Sequence, residues 1–149
     1  VTLDVVFTAP MLMKDVDLMS TPINYISYQV TSNDGEEHDV QFYFATSPEF
    51  SVNYNMQPTV SSVTTQNGIR YIKSGSKAQN VLGKAGDMIC IDWGFLYIPE
   101  INGTITVGNR AEVENTFATT GKLPTASTTS ISTSSDDSSS FSTGITSTL

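Results

Sequence analysis

The residues that could carry chemistry are few in this sequence. It has one histidine, His38, and one cysteine, Cys90, which excludes a two-histidine metal site, a zinc site built from several cysteines and an internal disulfide. The Gly-x-Ser-x-Gly nucleophile elbow, the phosphate-binding loop and the His-Glu-x-x-His pattern are absent from the sequence. We therefore predict no catalytic residue, no metal site and no cofactor for this chain.

The densest group of charges lies at positions 33–39, Asn-Asp-Gly-Glu-Glu-His-Asp. Clustered carboxylates suit a calcium ion, but Val30 and Val40 stand where an EF-hand spacing requires oxygen ligands. We favour a solvated turn, because Asn, Asp and Gly tolerate turn conformations and charges in such runs are usually hydrated. His38 is interpreted as a turn or strand-start residue rather than a ligand or general base.

Aromatic residues alternate near position 95. Trp93, Phe95 and Tyr97 share one face if this segment is a strand. Such rings could stack on sugars, but they are more often buried in a core or an interface, because each buries a large apolar area. They are the candidate binding residues of this sequence, for an interface or for a glycan.

Two other groups in this segment have chemical potential. Asp92 could act as a general acid with a second carboxylate such as Asp39 or Glu49, although glycosidic chemistry usually needs an identifiable pair. Cys90 is predicted to be a buried, inert thiol. An independent enzyme therefore ranks last among the functions considered.

Charge and hydropathy exclude several partners. Seven basic against 15 acidic residues give a net charge of −8, which argues against nucleic acid and against an anionic membrane surface. No apolar run approaches the roughly 20 residues of a membrane-spanning helix. Neither partner is predicted.

Short strands with turn signals between them dominate the first 120 residues. Asn67-Gly68 is the strongest hairpin signal, and Asn109, Glu112 and Gly121 mark the ends of a single helix. This pattern favours an all-β fold, an antiparallel β-sandwich of about eight strands with one short C-terminal helix. The predicted strands are 1–8, 23–31, 40–44, 50–54, 60–65, 69–73, 88–97 and 104–107, with hairpins expected at 33–35, 67–68 and 102–103.

The composition changes at Gly121. Ser and Thr supply 10 and 7 of the residues from 121 to 149, and the few apolar residues there are too sparse to form a buried face. We predict a β-sandwich domain over 1–120, followed at 121–149 by a Ser/Thr-rich tail or linker that is poorly ordered. Because a strand pattern begins at residue 1, we expect the chain to be a piece of a longer protein.

Three stretches resemble the glutaminase A family, in the N-terminal β-sandwich region that precedes a helical-toroid domain. They are Ser20-Thr21-Pro22-Ile23-Asn24-Tyr25, Val30 to Gly35, and His38-Asp39-Val40-Gln41-Phe42-Tyr43. Asp92-Trp93-Gly94-Phe95-Leu96-Tyr97 is similar to an aromatic stretch found later in that region. The sequence is similar in style to the members of this family from gut Bacteroidetes, which are exported proteins.

The resemblance implies an accessory role rather than catalysis. The family is named for the hydrolysis of glutamine, and its large helical domain is the expected home of the active site. We expect a non-catalytic N-terminal accessory domain of an exported, glutaminase-A-like hydrolase, whose partner is the helical-toroid domain of the same chain. The implied location is secreted, periplasmic or cell-surface. The alternative is a carbohydrate-binding module that uses the Trp93, Phe95 and Tyr97 face on a glycan.

Overall fold

The computed structural model describes residues 1–101 and 103–124, together with the backbone of two segments in the Ser/Thr-rich region. It separates into two compact units, one formed by Val1–Val40 with Ser147 and Thr148 and the other by Gln41–Thr146. In the described part of the chain the strands are β1 Thr2–Thr8, β2 Tyr25–Thr31, β3 Asp39–Thr46, β4 Thr59–Gln66, β5 Ile69–Ser76, β6 Leu96–Pro99, β7 Thr104–Asn109, β8 Ile131–Thr133 and β9 Ser139–Thr148. The helices are α1 Val16–Ser20 and α2 Arg110–Thr120, with a 3-10 turn at Pro48–Ser51.

The first unit is built on the antiparallel pair β1 and β2. Seven residue pairs join the strands without a bulge, from Thr2↔Thr31 to Thr8↔Tyr25. The short helix α1 is capped by Asp15, whose carboxylate accepts a hydrogen bond from the Leu18 amide at 2.9 Å. No residue between 1 and 40 is buried.

The second unit contains two sheets. One has the strand order β6-β5-β4-β8 and the other β3-β9-β7. Ile105 and Val107 on β7 pack against Ile72 on β5, which is fully buried, and three half-buried residues surround this cluster, namely Val63, Leu96 and Ile98. Apolar contact between the two sheets therefore forms the core, and the prediction of an antiparallel all-β fold is confirmed.

The β4–β5 hairpin forms where its sequence predicts it. Asn67 and Gly68 have φ values of 52° and 80°, the positive values that a type I′ turn requires at both central positions. Eight residue pairs follow, from Gln66↔Ile69 to Thr59↔Ser76. Local turn chemistry thus sets the register of the two central strands.

The predicted helix is also confirmed. The Asn109 side chain accepts hydrogen bonds from the amides of Ala111 and Glu112 at 3.0 and 3.4 Å, and Gly121 ends the helix at φ 67°. Val113 is buried. Phe117 packs on the ring of Tyr43, with 4.9 Å between the ring centres.

Two predictions about the middle strands are wrong. β2 pairs with β1, whereas β3 belongs to the sheet of β9 and β7, so the turn at 33–35 does not close a β2–β3 hairpin. The connection of Ser32 to His38 is too long for a tight turn that fixes register. Residues 50–54 do not form a strand either, because Pro48 starts a 3-10 turn there.

The predicted central strand at 88–97 is shorter than expected and lies elsewhere in the sheet. Only Leu96–Pro99 is a strand, at the edge beside β5. Gly94 has φ 84°, a value that interrupts a strand, and the buried carboxylate of Asp92 is turned toward polar partners. Cys90, predicted to be buried, is exposed.

The remaining differences concern the chain after β6. β7 forms as predicted at 104–107 but lies in the other sheet from β6, so the two strands make no hairpin; Asn102 of the predicted turn lies outside the described residues. Within the predicted tail, β8 pairs with β4 and β9 with β7. The other residues of the predicted tail, 125–130, 134–138 and 149, lie outside the described residues.

The turn at Gly68 provides a test of the fold. A Cβ at this position would meet no atom within 4 Å, so Gly68→Ala should destabilise the domain through backbone conformation alone, by about 1–2 kcal/mol. Asn67→Gly, which removes a positive-φ side chain from the same turn, should change the free energy of unfolding by less than about 0.5 kcal/mol. Urea unfolding measures both; equal stability of Gly68→Ala and wild type would contradict the turn assignment.

Candidate functional site

Residues 77–95 connect β5 to β6 without a helix or strand, and we call this segment the strap. Such a connection exceeds the roughly 12–15 residues beyond which irregular loops in compact domains are uncommon and often functional. Two non-glycine residues in the strap have left-handed backbone, Gln79 at φ 48° and Leu82 at φ 52°. Surrounding contacts must hold a backbone of this kind in place.

Asp92 accepts several of the hydrogen bonds that hold the strap. It is 5% exposed and is the only buried charged residue in the part of the chain that the structure describes. Its Oδ2 accepts from Lys84 Nζ at 2.9 Å and from Gln57 Nε2 at 3.0 Å. The Lys84 ammonium and then the Gln57 amide hold the pKa of this carboxyl below its ordinary value.

A second set of hydrogen bonds closes the strap on itself and joins it to the end of β5. Gln79 donates to the Gly94 carbonyl at 3.0 Å and accepts from the Gly94 amide at 2.8 Å. Ser76 donates to the main-chain carbonyl of Asp92. A Cβ on Gly75 would lie 2.7 Å from the Gly94 carbonyl oxygen, so the strap crosses β5 where only glycine leaves room.

These contacts assign Asp92 a structural role. The two acids considered as its catalytic partners, Asp39 and Glu49, are not among the groups that contact its carboxylate. A carboxylate tied to an ammonium and an amide has neither a paired acid nor a raised pKa, both of which acid catalysis on a glycosidic bond uses. The geometry therefore supports anchoring of the strap.

The three aromatic residues predicted to share a face are divided by the structure. Phe95 and Tyr97 are 40% and 49% exposed and lie edge to face, with ring centres 6.2 Å apart and planes at 64°. Trp93 is half-buried in the strap, away from the strand. The rings do not form the coplanar platform that the glycan hypothesis requires.

Two neighbours of this aromatic pair escaped the sequence reasoning. Tyr71 meets Tyr97 edge-on at 6.3 Å and 86°, and Lys73 Nζ lies 3.9 Å from the centre of the Phe95 ring. Both belong to β5, where Lys73 is opposite Tyr97. Their proximity depends on the β5–β6 register, so only a correct strand pairing could have revealed it.

The charged turn is organised around the Asp34 carboxylate. His38 Nε2 lies 2.9 and 3.1 Å from the two carboxylate oxygens of Asp34, whose Oδ1 also accepts from the Ser32 hydroxyl and the Glu36 amide. The His38 contact, followed by the other two, lowers the pKa of Asp34 to about 2. The described residues contain no group of three or more His, Cys, Asp or Glu placed to hold a metal ion.

The apolar side of the β1–β2 pair is a candidate docking surface, which we call the hairpin face. The β1–β2 register places its members side by side, and Leu3 and Phe7 are 49% and 71% exposed. Alternation in the sequence predicts this shared side, but the exposure of Leu3 and Phe7 becomes visible only in the structure. The hairpin face comprises Leu3, Val5, Phe7, Ile26, Tyr28 and Val30.

Among the described residues, no helix has both the length and the apolar character that a bilayer-spanning helix needs.

Comparison with known families assigns the chain. The profile of a domain of unknown function (DUF5127) matches residues 1–147, and the chain belongs to this family, which comprises N-terminal domains of larger proteins. The match extends through most of the Ser/Thr-rich segment. No curated protein and no solved structure matches the chain.

The Asp34 contact predicts a measurable titration. Its carboxyl should titrate near pH 2 in the folded protein, and His38→Ala should raise this pKa toward 3.8 because the largest cause of the shift is removed. His38→Gln, which can still donate a hydrogen bond, should raise it less. Because the folded pKa lies below the unfolded value, the turn's contribution to stability is present above about pH 3.9 and is lost as the pH falls toward 2.

Carboxyl ¹³C NMR of Asp34 during a pH titration measures these values. An unchanged titration midpoint in His38→Ala would show that the contact does not exist in solution.

Proposed function

We propose that this chain is a non-catalytic accessory domain that packs through the hairpin face against a neighbouring domain of the same protein. The observation that carries this proposal is an amphipathic strand pair with exposed apolar side chains, Leu3, Phe7 and Ile26 at 49%, 71% and 39% exposure, in a stretch from 1 to 40 that has no buried residue. Isolated two-stranded hairpins are marginally stable in water, and large exposed apolar patches mark interaction sites.

A domain of the same chain is the partner that physical chemistry favours. A tethered neighbour is present at an effective concentration in the millimolar range, so a modest apolar surface is enough for docking. The hairpin face carries no charged residue, which suits burial against another protein surface better than an aqueous boundary. Membership in a family of N-terminal domains supports a partner of this kind.

The sequence resemblance supplies the finer proposal. The neighbour would be the helical-toroid domain of an exported, glutaminase-A-like hydrolase, and the present domain would help to shape its cleft. Its location would be secreted, periplasmic or cell-surface. The role of Asp92 as an anchor rather than an acid supports catalysis outside this domain.

Substitution of one hairpin-face residue tests the docking surface. In the full-length protein, Phe7→Ser should loosen the interface, lower the thermal midpoint of this domain and speed protease cleavage between the domains, because a large apolar contact is lost. Phe50→Ser is the matched control, since Phe50 is 79% exposed and Phe7 71% but Phe50 lies outside the hairpin face. Equal effects of the two substitutions would contradict docking through this face.

A hydrolysis assay tests the assignment of catalysis. Ammonia release from glutamine should be observed with the full-length protein and should be absent with the 149 residues alone. Turnover by the isolated chain would refute the accessory role. A glycan screen read by Trp93 fluorescence addresses the alternative: a saturable shift abolished by Tyr97→Ala would favour a carbohydrate-binding module and count against the docking proposal.

A further inference from the structure

The interactions that hold the strap in place differ from those that hold the sheet together. β4 and β5 are joined by eight residue pairs of a regular ladder. The strap is closed on itself by the Lys84–Asp92 ion pair and the Gln79–Gly94 hydrogen bonds, and Gln57 and Ser76 tether it from outside through Asp92. Cys90 adds one more, because its amide donates to the Asn53 side chain at 2.8 Å. Loss of these tethers leaves the ladder intact.

We infer that the strap is a conformational element that opens independently of the sheet, and that the buried Asp92–Lys84 ion pair is the latch that keeps it closed. The inference does not depend on which domain docks on the hairpin face. Segments with few buried apolar contacts open at lower free energy than core strands, and they do so as cooperative units.

The strap has the composition expected of such a segment. Many of its large apolar side chains point outward, with Val81, Leu82 and Met88 at 65%, 79% and 93% exposure. Burial of these three side chains therefore contributes little to closure. The energy comes instead from a few polar contacts, and the left-handed backbone of Gln79 and Leu82 works against it.

The two partners of the ion pair differ in exposure, so substitutions of the two residues should differ in their effect on the strap. The Asp92 side chain is 7% exposed, but that of Lys84 is 39% exposed. Removal of the ammonium leaves a buried carboxylate without its counter-charge, which is costly, whereas removal of the carboxylate charge leaves a lysine that water can reach. Substitution of Lys84 should therefore open the strap more than neutralisation of Asp92.

Acid should also open the latch. The groups that contact the Asp92 carboxylate are the charged Lys84 and the uncharged Gln57, and both hold its pKa below 3.8. Because the folded pKa is lowered, the stabilisation is complete above the unfolded pKa and is lost as the pH falls through the folded pKa. Opening should therefore begin below about pH 4.

The chain contains its own reporter. Trp93, its only tryptophan, is half-buried in the strap next to Asp92, so its emission follows the strap and not the sheet. Amide exchange supplies a second readout, since the amides of Gly94 and Cys90 are bonded within the latch region and that of Ile72 lies in the core strand β5.

The experiment compares Lys84→Met, Asp92→Asn and the double variant with wild type. Exchange at Gly94 and Cys90 should quicken by at least about tenfold in Lys84→Met and by less in Asp92→Asn, while Ile72 changes by less than about twofold. The double variant should behave like Asp92→Asn, because the uncompensated charge is gone. Arg110→Met, which breaks an exposed ion pair with Glu114, is the control and should leave the strap unchanged.

An acid titration of wild type keeps the inference testable if a variant does not fold. Trp93 emission should shift to the red below about pH 4, before the far-ultraviolet circular dichroism of the sheet is lost. The inference is overturned if Gly94, Cys90 and Ile72 exchange at rates that change together, if Asp92→Asn opens the strap more than Lys84→Met, or if emission and circular dichroism change at the same pH.

Discussion

The contact of Ile72 with Ile105 and Val107 is the constraint on which the second unit depends. It joins strands from two separate sheets, so neither sheet could bury its inner side without the other. The apolar core around this contact is small: in the described residues, the other large apolar side chains that are buried are Pro48, Val52 and Val113. Buried hydroxyl groups fill part of the interior, as in the Ser61–Ser74 pair at 2.9 Å. A core of this size contributes little stability. Single polar contacts at its edge therefore determine whether a nearby segment stays ordered.

The strap reflects the small size of that core. The strap lies where β4 begins and β5 ends, at the polar end of the inner side, and is therefore fixed by hydrogen bonds and an ion pair rather than by apolar packing. The first unit has no buried residue at all between 1 and 40. The docking proposal assigns the exposed apolar side chains of this unit to a neighbouring domain, and the family comprises N-terminal domains of larger proteins.

Sequence reasoning succeeded where structure is determined locally. Asn67-Gly68 demands positive φ, and Asn109 supplies a cap, whatever surrounds them. It failed where contacts between residues far apart in the sequence determine the structure. Alternation between 88 and 97 looks like a strand, but the backbone turns at Gly94 and Asp92 is drawn to Lys84 and Gln57. The same alternation predicts one face for Trp93, Phe95 and Tyr97. In the structure the backbone turns at Gly94, and only the rings of Phe95 and Tyr97 are in contact.

We propose that the hairpin face is an interface with a neighbouring domain of the same protein. Amide exchange of β1 and β2, measured in the 149-residue chain and in the full-length protein, tests this most directly. Exchange within Thr2–Thr8 and Tyr25–Thr31 should be at least about tenfold slower in the full-length protein, because a docked domain suppresses local opening of the strand pair. Identical exchange in the two proteins would contradict the account.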